Sequence, residues 1–409
     1  MNAPVPDLIK IAANRPLNLQ DKHLVQNRWA YYQYLREHLP VHRAKVLGVK
    51  LFVTARYDDC LTVVKDERFG RNRANITGGS RFPFPVPSNL KFLAESIINE
   101  DDPQHRRLRQ LVQKAFSPKS LTQVELRVNE WAQELAQACV AKGEFSMQED
   151  YALPIPMRAI AEMVGVSEND MPRFREGVRA LSEGLNGWRI ARTIFWDLRN
   201  LVKFVRELVE RKKQNPSDDI LSGLIAAEIE GDRLGDDELV SMVFILIIAG
   251  FETTANLISN GVITLLEHPD ELAKLRSNPS LYGSAVEELL RFSGPVHGTK
   301  MNYAREDIEI RGVVIPKGMA VMPILGSANR DEAVFDNPNV FDIQRDPNKH
   351  LSFSQGNHFC LGAFLARMEA KIAFKTLFES MPQLELASIP EPATMPGWYR
   401  YRDYRLRVR

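Results

Sequence analysis

The sequence predicts a mainly α-helical fold with small β sheets, and three observations support that class. A segment beginning at Asp236 can run without proline to His268 and Pro269, a helix of about 45 Å at about 1.5 Å per residue. Apolar residues after Cys360 also recur at helical spacing. Two segments, 44–54 and 308–322, combine β-branched residues with Gly or Pro at turns, as short strands do.

Composition indicates one ordinary globular protein. The chain has 409 residues, of which 44% are hydrophobic and 26% charged, so it can bury a large core. No repeat, low-complexity run or Gly/Ser linker divides it, so we expect a single domain over residues 1–409. A net charge of +1 favours neither nucleic acid nor an anionic membrane. The N-terminus shows no signal or anchor pattern, and we expect a cytoplasmic monomer.

The predicted central helix contains polar residues where it should be buried. Residues 242–249 are apolar on every face, which marks a buried helix. Glu252 and Thr253 follow directly, and burying them costs free energy unless they are satisfied. Thr253 can bond to the Ala249 carbonyl, while Gly250 leaves room for a small ligand. Two interpretations are open: a proton relay through Glu252 and Thr253, or a helix irregularity in which Glu252 caps a neighbour.

A cysteine near the C-terminus lies in a glycine-rich loop. Phe353, Gly356, His358, Cys360 and Gly362 are spaced as FxxGxHxCxG, and a helix follows at once. The positive end of that helix favours a thiolate. The two glycines let backbone amides approach the sulfur and a flat cofactor approach the chain. The pattern therefore predicts that this loop contacts a cofactor.

The other two cysteines lack such surroundings. Cys60 and Cys139 are too scattered for a disulfide framework, and we interpret both as packing residues. A zinc or redox-thiol site built from Cys360 and His358 is an alternative. However, two ligands two residues apart complete no usual metal set.

The cysteine loop resembles the haem-binding loop of the cytochrome P-450 family. The sequence AGFETT at 249–254 is similar to the oxygen-activating segment of that family's central helix. Glu288 and Arg291 resemble its buried ExxR pair, and residues 101–118 resemble its haem-propionate helix, with His105 and Arg109 four apart. The resemblance covers nearly the whole chain. It implies the cytochrome P-450 fold, with haem between the long central helix and the cysteine-loop helix.

The resemblance also implies the chemistry and the site. Cys360 is the expected thiolate ligand of a haem b iron, Glu252 and Thr253 the catalytic residues, and Glu288 with Arg291 the structural support. The expected reaction inserts one atom of O2, as co-substrate, into a lipophilic substrate, with C–H hydroxylation foremost. A haem sensor or carrier and a peroxide-driven enzyme are the alternatives. The further residues expected to bind the cofactor are His105, Arg109, Ala249, Gly250, Lys300, Phe353, Gly356, His358 and Gly362.

One position departs from the family pattern. Where the family commonly has an arginine for a haem propionate, in RxAxED, this chain has Asn302 in NYARED. Asparagine donates a hydrogen bond but no charge. Propionate neutralisation is therefore expected to fall to His105, Arg109 and His358. Lys300 is a further candidate, since side chains alternate along a strand.

The expected substrate pocket and partner surface lie elsewhere in the chain. Residues 71–99 are broken by Pro and Gly and predict either a functional loop or a surface connection. The expected pocket residues are Phe82, Phe84, Val86, Leu90, Ile245, Ile248, Ala249, Val296, His297 and Trp398, each of which could equally be core. The expected electron donor is a ferredoxin or flavodoxin at a basic proximal face formed by Arg106, Arg107, Lys114, Arg345 and Lys349.

Overall fold

The computed structural model describes residues 15–81, 92, 95–115, 118–184, 196–393, 395 and 397–409. Within these ranges the chain is mainly helical, which confirms the predicted fold class. The helices are α1 Lys22–Gln26, α2 Arg28–His38, α3 Tyr57–Lys65, α4 Arg73–Thr77, α5 Gln104–Ala115, α6 Pro118–Lys142, α7 Pro154–Met163, α8 Met171–Gly184, α9 Leu198–Gln214, α10 Ile220–Ala226, α11 Asp236–Glu267, α12 Pro269–Ser277, α13 Tyr282–Ser293, α14 Leu325–Ala328 and α15 Ala363–Ser380.

The strands are short and form small sheets. They are β1 Leu17–Asn18, β2 Val41–Val46, β3 Val49–Thr54, β4 Phe69–Gly70, β5 Glu144–Ser146, β6 Glu228–Ile229, β7 Asp232–Arg233, β8 Asn302–Ala304, β9 Ile308–Ile310, β10 Val313–Ile315, β11 Ala320–Pro323, β12 Leu384–Leu386 and β13 Arg405–Val408. The largest sheet has the order β1-β2-β3-β11-β8-β4. Its β3 and β11 are parallel neighbours, so the two predicted strand segments meet in one sheet.

Helix α11 crosses the fold as the sequence predicts. It begins with three acidic residues, and the Glu238 carboxylate accepts a hydrogen bond from the Gly235 amide at 2.9 Å. The acidic first turn complements the positive helix end. Among the described residues, only α11 is long and apolar enough to cross a membrane, and 67% of its apolar window is buried inside the fold. It is the central core helix.

The other helices pack around α11. Its partners include α7, α9, α13 and α15, and residues of all five helices belong to the largest cluster of buried apolar side chains. Helix α15 follows the cysteine loop directly and packs against both α6 and α11. The two helices expected to enclose a cofactor are therefore neighbours.

An ion pair between Glu288 and Arg291 lies wholly inside the protein. Both side chains are 0% exposed, and Nε and Nη2 of Arg291 donate to the two Glu288 carboxylate oxygens at 2.7 Å each. The remaining nitrogen of Arg291 donates to the backbone carbonyls of Asn329 and Pro338, at 2.9 and 2.8 Å. The pair thus fixes the chain that precedes the cysteine loop.

Asn329 extends this network to the cysteine loop itself. Its side-chain oxygen accepts from the Leu351 amide at 2.7 Å, and its side-chain nitrogen donates to the Ser352 hydroxyl at 2.8 Å. The Ser352 hydroxyl in turn donates to the Leu290 carbonyl at 2.6 Å. Each partner satisfies a buried polar group that would otherwise destabilise the fold. Helix α13 therefore sets the position at which the cysteine loop begins.

We predict that Glu288→Gln destabilises the protein far more than a matched change at the surface. The substitution leaves the buried Arg291 guanidinium without a counter-charge, which costs about 3–5 kcal/mol. Glu130→Gln is the control, because Arg127 and Glu130 have the same three-residue spacing at 2.6 Å but are 48% and 62% exposed. We expect its cost to stay below about 1 kcal/mol. Equal shifts of the two urea unfolding curves would contradict the prediction.

Candidate active site

The cysteine loop is shaped by its own backbone. The Cys360 amide donates to the Phe353 carbonyl at 3.0 Å, above a 3-10 turn at Gly356–His358. Gly356 has a φ of +70°, and a Cβ there would lie 2.6 Å from the Val64 carbonyl oxygen. A side chain at position 356 is therefore excluded both by backbone conformation and by contact.

Gly362 serves a different purpose. A Cβ at this position would meet no described protein atom within 4 Å, so no protein contact requires glycine there. Its backbone amide donates a hydrogen bond to the Cys360 sulfur. This matches the sequence prediction that the second glycine gives access to the sulfur.

Burial dominates the acidity of the Cys360 thiol. It raises the pKa above 9.0, while the Gly362 amide and the positive charges of Arg109 and Arg367 oppose the rise. Desolvation thus opposes the stabilisation of a thiolate that the sequence predicts from the helix end. A bound cation that displaces the proton would be needed to hold sulfur as the thiolate.

Arg367 links the cysteine loop to the helix that carries the buried ion pair. Its guanidinium lies 4.5 Å from the centre of the Phe353 ring and donates to the Glu287 carboxylate at 2.6 and 2.8 Å. His350 lies 3.1 Å from the same carboxylate. These contacts lower the pKa of Glu287 to about 2 against the effect of burial. The carboxylate therefore stays charged and holds both ends of the loop.

Helix α5 brings its predicted residues to the loop. The His105 ring lies 4.2 Å from the His358 ring, centre to centre, and Nδ1 of His105 is 3.3 Å from the Asp102 carboxylate. Arg109 donates to the Phe359 carbonyl at 2.8 Å. Burial, followed by the positive charge of Arg71, lowers the pKa of His358 to about 2. The three predicted propionate-binding residues are thus assembled beside the loop.

Two more basic side chains join this group. Lys300 was predicted from the sequence, and burial together with the charge of Arg71 lowers its pKa to about 7. Arg71 was missed. Its Nη1 donates to the Lys300 carbonyl at 2.6 Å, and only 7% of the residue is exposed. The sequence held no signal for it, since Arg71 opens a segment without regular periodicity. We call Arg71, His105, Arg109, Lys300 and His358 the basic cluster.

The central helix has an open face in its buried middle. Ala249 is exposed and Ile245, Ile248, Gly250 and Thr253 are half-buried, although many of their neighbours are fully buried. The apolar residues of this set include all three that the sequence assigned to a substrate pocket on this helix. Open space beside the middle of a core helix is where a ligand can be enclosed.

Thr253 and Gly250 differ in how they meet the prediction. The Thr253 hydroxyl donates to the Ala249 carbonyl at 2.7 Å, as the sequence predicted. A Cβ on Gly250, however, would lie 2.5 Å from Cδ1 of Ile160 on α7. Glycine is therefore needed there so that the two helices can pack closely. On the side of the missing Cβ the space is therefore taken by Ile160, while the Gly250 backbone itself is half-buried on the open face.

Glu252 is held by an ion pair from the C-terminal region. Nη1 of Arg400 donates to its carboxylate at 2.7 Å, and the side chains are 15% and 10% exposed for Arg400 and Glu252. The Glu252 carbonyl accepts from the Asn256 side chain at 2.8 Å. The Glu252 carboxylate is thus held in a largely desolvated position beside the central helix, one residue before Thr253. Arg400 gave no signal in the sequence.

A second buried carboxyl lies between the two helices. Glu369 on α15 is 1% exposed, and burial raises its pKa to about 8, which contact with the Thr254 hydroxyl opposes. It is therefore mostly protonated at neutral pH and can donate a hydrogen bond. The sequence does not point to Glu369, because a polar residue within an amphipathic helix ordinarily faces solvent.

The predicted pocket residues fall into three groups. Phe82, Phe84, Val86 and Leu90 lie outside the described residues. Ile245 and Ile248 lie on the open face of α11. Val296, His297 and Trp398 lie together, since Val296 and Trp398 form a β-bridge.

His297 is a core residue. Its ring stacks on Tyr399 at 5.0 Å and its Nδ1 lies 3.3 Å from the Tyr32 hydroxyl. Burial holds the pKa of His297 well below 6.5, so the ring stays neutral. His297 and Trp398 border a pocket whose other walls include Leu24, Arg28 and Tyr32. A role for His297 in orienting substrate is therefore not supported by its contacts.

Cys60 and Cys139 are buried, as predicted for packing residues. Burial raises the pKa of each thiol to about 12, so both stay protonated and unreactive. Within the described ranges, no group of three or more His, Cys, Asp or Glu side chains could hold a metal ion. The zinc-site alternative gains no support.

Three residues of the expected basic proximal face bond to other parts of the protein. Arg107 donates to Glu238 at 2.7 Å and also pairs with Asp232, while Arg345 contacts Glu288 at 3.2 Å with 11% of its side chain exposed. Lys114 donates to the Glu228 carbonyl at 2.6 Å. Two of the five residues of the expected basic face, Arg107 and Arg345, are therefore paired with carboxylates, while Lys114 is exposed. Arg106 and Lys349 remain exposed.

The residues present fit a haem group. Burial lowers the pKa of each base in the basic cluster. Neighbouring positive charges lower the pKa values of His105, Lys300 and His358 further, as expected where an anionic group would compensate them. The open space at Gly362 suits a flat ring against the sulfur. Cys360, the basic cluster and the open face of α11 thus supply a ligand, an anion site and a reaction space.

Comparison with known proteins agrees with this geometry. The family model "Cytochrome P450" matches residues 137–281 and 280–382. A cytochrome P450 of Bacillus subtilis is 36% identical over 370 residues, which cover 90% of this chain and 90% of that protein.

Two solved structures share the fold. A myxobacterial cytochrome P450 in complex with myristic acid has a TM-score of 0.88 at 35% identity, covering 96% of this chain and 98% of that chain. P450BioI, in complex with an acyl carrier protein ligated to hexadec-9Z-enoic acid, has a TM-score of 0.85 at 34% identity, covering 95% and 100%. The chain belongs to the cytochrome P450 family, and it is an oxidoreductase of the monooxygenase class.

Proposed function

We propose that this protein inserts one oxygen atom from O2 into a C–H bond of a lipophilic substrate, with Cys360 as the thiolate ligand of a haem b iron. One observation carries the proposal. The cysteine loop, with its sulfur bonded by the Gly362 amide, adjoins the basic cluster, while the neighbouring helix α11 presents Thr253 on its open face and Glu252 beside it. A carrier or sensor has no need of that acid and alcohol.

The chain's own residues would hold the group from two sides. Cys360 would bind the iron after losing its thiol proton, and the basic cluster would bind the propionates. When bound, the haem supplies activation of O2 and transfer of one oxygen atom. Ile245, Ile248 and Ala249 would exclude water from the substrate side, since they are apolar and line the open face of α11.

Glu252 and Thr253 would move protons into this space. The Thr253 hydroxyl is fixed by its bond to the Ala249 carbonyl, so its oxygen has a lone pair directed away from the backbone. Glu252 is the adjacent acid, and Arg400 keeps it from turning freely. A held carboxylate and a held hydroxyl can pass a proton along one path. This pair also favours O2 over peroxide as the oxidant.

We predict that Thr253→Ala keeps haem and substrate binding but lowers product formation by about tenfold or more, because proton delivery is lost. Reductant consumption should continue and appear as hydrogen peroxide. The measurement compares reductant consumed, hydrogen peroxide released and 18O from 18O2 found in product.

Thr264→Ala is the matched control for this change. Its hydroxyl also bonds back four residues along α11, to the Asn260 carbonyl at 2.9 Å, but it is buried away from the open face. We expect this variant to remain coupled. Tight coupling in Thr253→Ala, or equal uncoupling in both variants, would contradict the proposed role.

The open face of α11 supports a lipophilic substrate. Its exposed and half-buried side chains in α11 include Ile245, Ile248 and Ala249 and no charged group. Two structural relatives carry a C14 or C16 acyl chain, as myristic acid and as a hexadecenoyl group on a carrier protein. An apolar chain of that kind is the substrate type we propose for this site.

The electron donor would bind beside the cysteine loop. Phe364, four residues after Cys360, is 59% exposed and presents an apolar ring to solvent. Arg106 has a side chain 70% exposed, and its partner Asp102 also accepts from Asn357 of the loop at 3.2 Å. An apolar centre with a nearby cation suits a small acidic ferredoxin or flavodoxin. A cytoplasmic location accords with such a donor.

We predict that Phe364→Glu raises the KM for a ferredoxin donor by about tenfold, since it removes the apolar contact and repels an acidic partner. Turnover driven by added hydrogen peroxide should not change, because it needs no donor. Ile389→Glu, at a residue 91% exposed after β12, is the control and should leave both rates unchanged. An unchanged KM in Phe364→Glu would contradict this docking site.

A further inference from the structure

The strand register places Arg71 opposite Asn302, the position at which the chain departs from its family. Strands β4 and β8 are antiparallel, with Phe69 opposite Ala304 and Gly70 opposite Tyr303. Extending that register by one residue sets position 71 against position 302. Side chains at directly opposite positions point to the same face of a sheet. An arginine therefore directly follows the neighbouring strand β4, level with Asn302.

The two side chains converge on one atom. The Lys300 carbonyl oxygen accepts a hydrogen bond from Nη1 of Arg71 at 2.6 Å and from the Asn302 side chain at 3.4 Å. The guanidinium of Arg71 thus occupies the neighbourhood of the Asn302 amide. Both residues are buried, at 7% and 4% exposure.

No carboxylate described in the structure is hydrogen-bonded to the Arg71 guanidinium. The Asp101 carboxylate accepts from the Arg71 backbone amide and from the Arg305 side chain. Glu100 accepts from the Asn72 and Arg81 side chains. Nε of Arg71 is buried and has no hydrogen-bond partner among the described residues. A buried guanidinium with an unused donor costs free energy, and an anionic ligand would remove that cost.

The charges around Arg71 show what kind of ligand is missing. Burial lowers the pKa of Arg71 to about 10, which the charge of Asp101 opposes. Burial and the charge of Arg71 lower the pKa of Lys300 to about 7, which the charge of Glu100 opposes. Because Asp101 and Glu100 also pair with Arg305 and Arg81, a further negative group beside the two buried bases would stabilise both. A carboxylate ligand meets that requirement.

We propose that Arg71 binds a haem propionate in place of the arginine that its family commonly has at position 302. The positive charge is thus supplied from the β4 side of the β4–β8 pair. The smaller side chain of Asn302 leaves room for the guanidinium beside it. This inference rests on the haem site proposed above. It assigns to Arg71 a positioning role for the cofactor, since it would touch a propionate and not the iron.

The test is the rate at which ferric protein loses haem to excess apomyoglobin. We expect Arg71→Met to lose haem about tenfold faster, the loss of one charge-assisted hydrogen bond. Its reduction potential should fall, because a positive charge that favours the reduced iron is removed. Arg73→Met is the control, since Arg73 is two residues further on and donates to the Ser80 carbonyl. It should lose haem at the wild-type rate.

An exchange variant protects the test against simple misfolding. Arg71→Asn combined with Asn302→Arg moves the charge back to strand β8, and we expect wild-type haem retention. Wild-type retention in Arg71→Met, or rapid loss in the exchange variant, would overturn the proposal. A carboxylate of the substrate is the other possible ligand. Weakened binding of myristate but not its methyl ester, with haem loss unchanged, would assign Arg71 to substrate instead.

Failure of the underlying haem site would look different. Wild-type protein expressed with adequate haem would then show no haem absorption at all, before any variant is compared. The proposal for Arg71 can therefore fail while the haem site stands.

Discussion

The buried pair of Glu288 and Arg291 is the interaction on which the site depends. A charged pair without solvent exposure is stable only if nearly every donor and acceptor is satisfied. Here the satisfying partners are backbone carbonyls at Asn329 and Pro338, which belong to the chain leading to the cysteine loop. Asn329 then bonds to residues 351 and 352. The cost of burying the pair is offset only when that chain is in place.

Helix α11, on the substrate side of the proposed haem site, also contains buried polar groups that depend on compensating contacts. Helix α11 is buried along most of its length, yet it keeps an open face at Ala249 and Thr253. Glycine at 250 permits that arrangement by letting α11 approach Ile160 closely on another side. Glu252 tolerates its desolvated position because Arg400 supplies the counter-charge. The same segment of α11 therefore packs closely on one face and leaves open space on another.

The sequence predicted features that depend on local pattern. The bounds of α11 followed from its acidic start and from Pro269, and the loop around Cys360 followed from spaced glycines. The bond from Thr253 to Ala249 followed from helical geometry alone. What could not be predicted depends on residues distant in the chain: Arg71 against Asn302, Arg400 against Glu252, and Ile160 against Gly250. Arg107 and Arg345 were expected on a basic face, but both pair with carboxylates. A sequence shows that a residue is a cation but not which carboxylate it pairs with.

Cys360 as the haem ligand is the central claim, and the reduced, CO-bound absorption spectrum tests it most directly. Thiolate ligation gives a red-shifted band, which we expect in the wild-type protein and in Cys139→Ser, a control at a buried packing cysteine. Cys360→His should bind CO without that band. Persistence of the red-shifted band in Cys360→His would contradict the account, because the thiolate would then have to come from another residue.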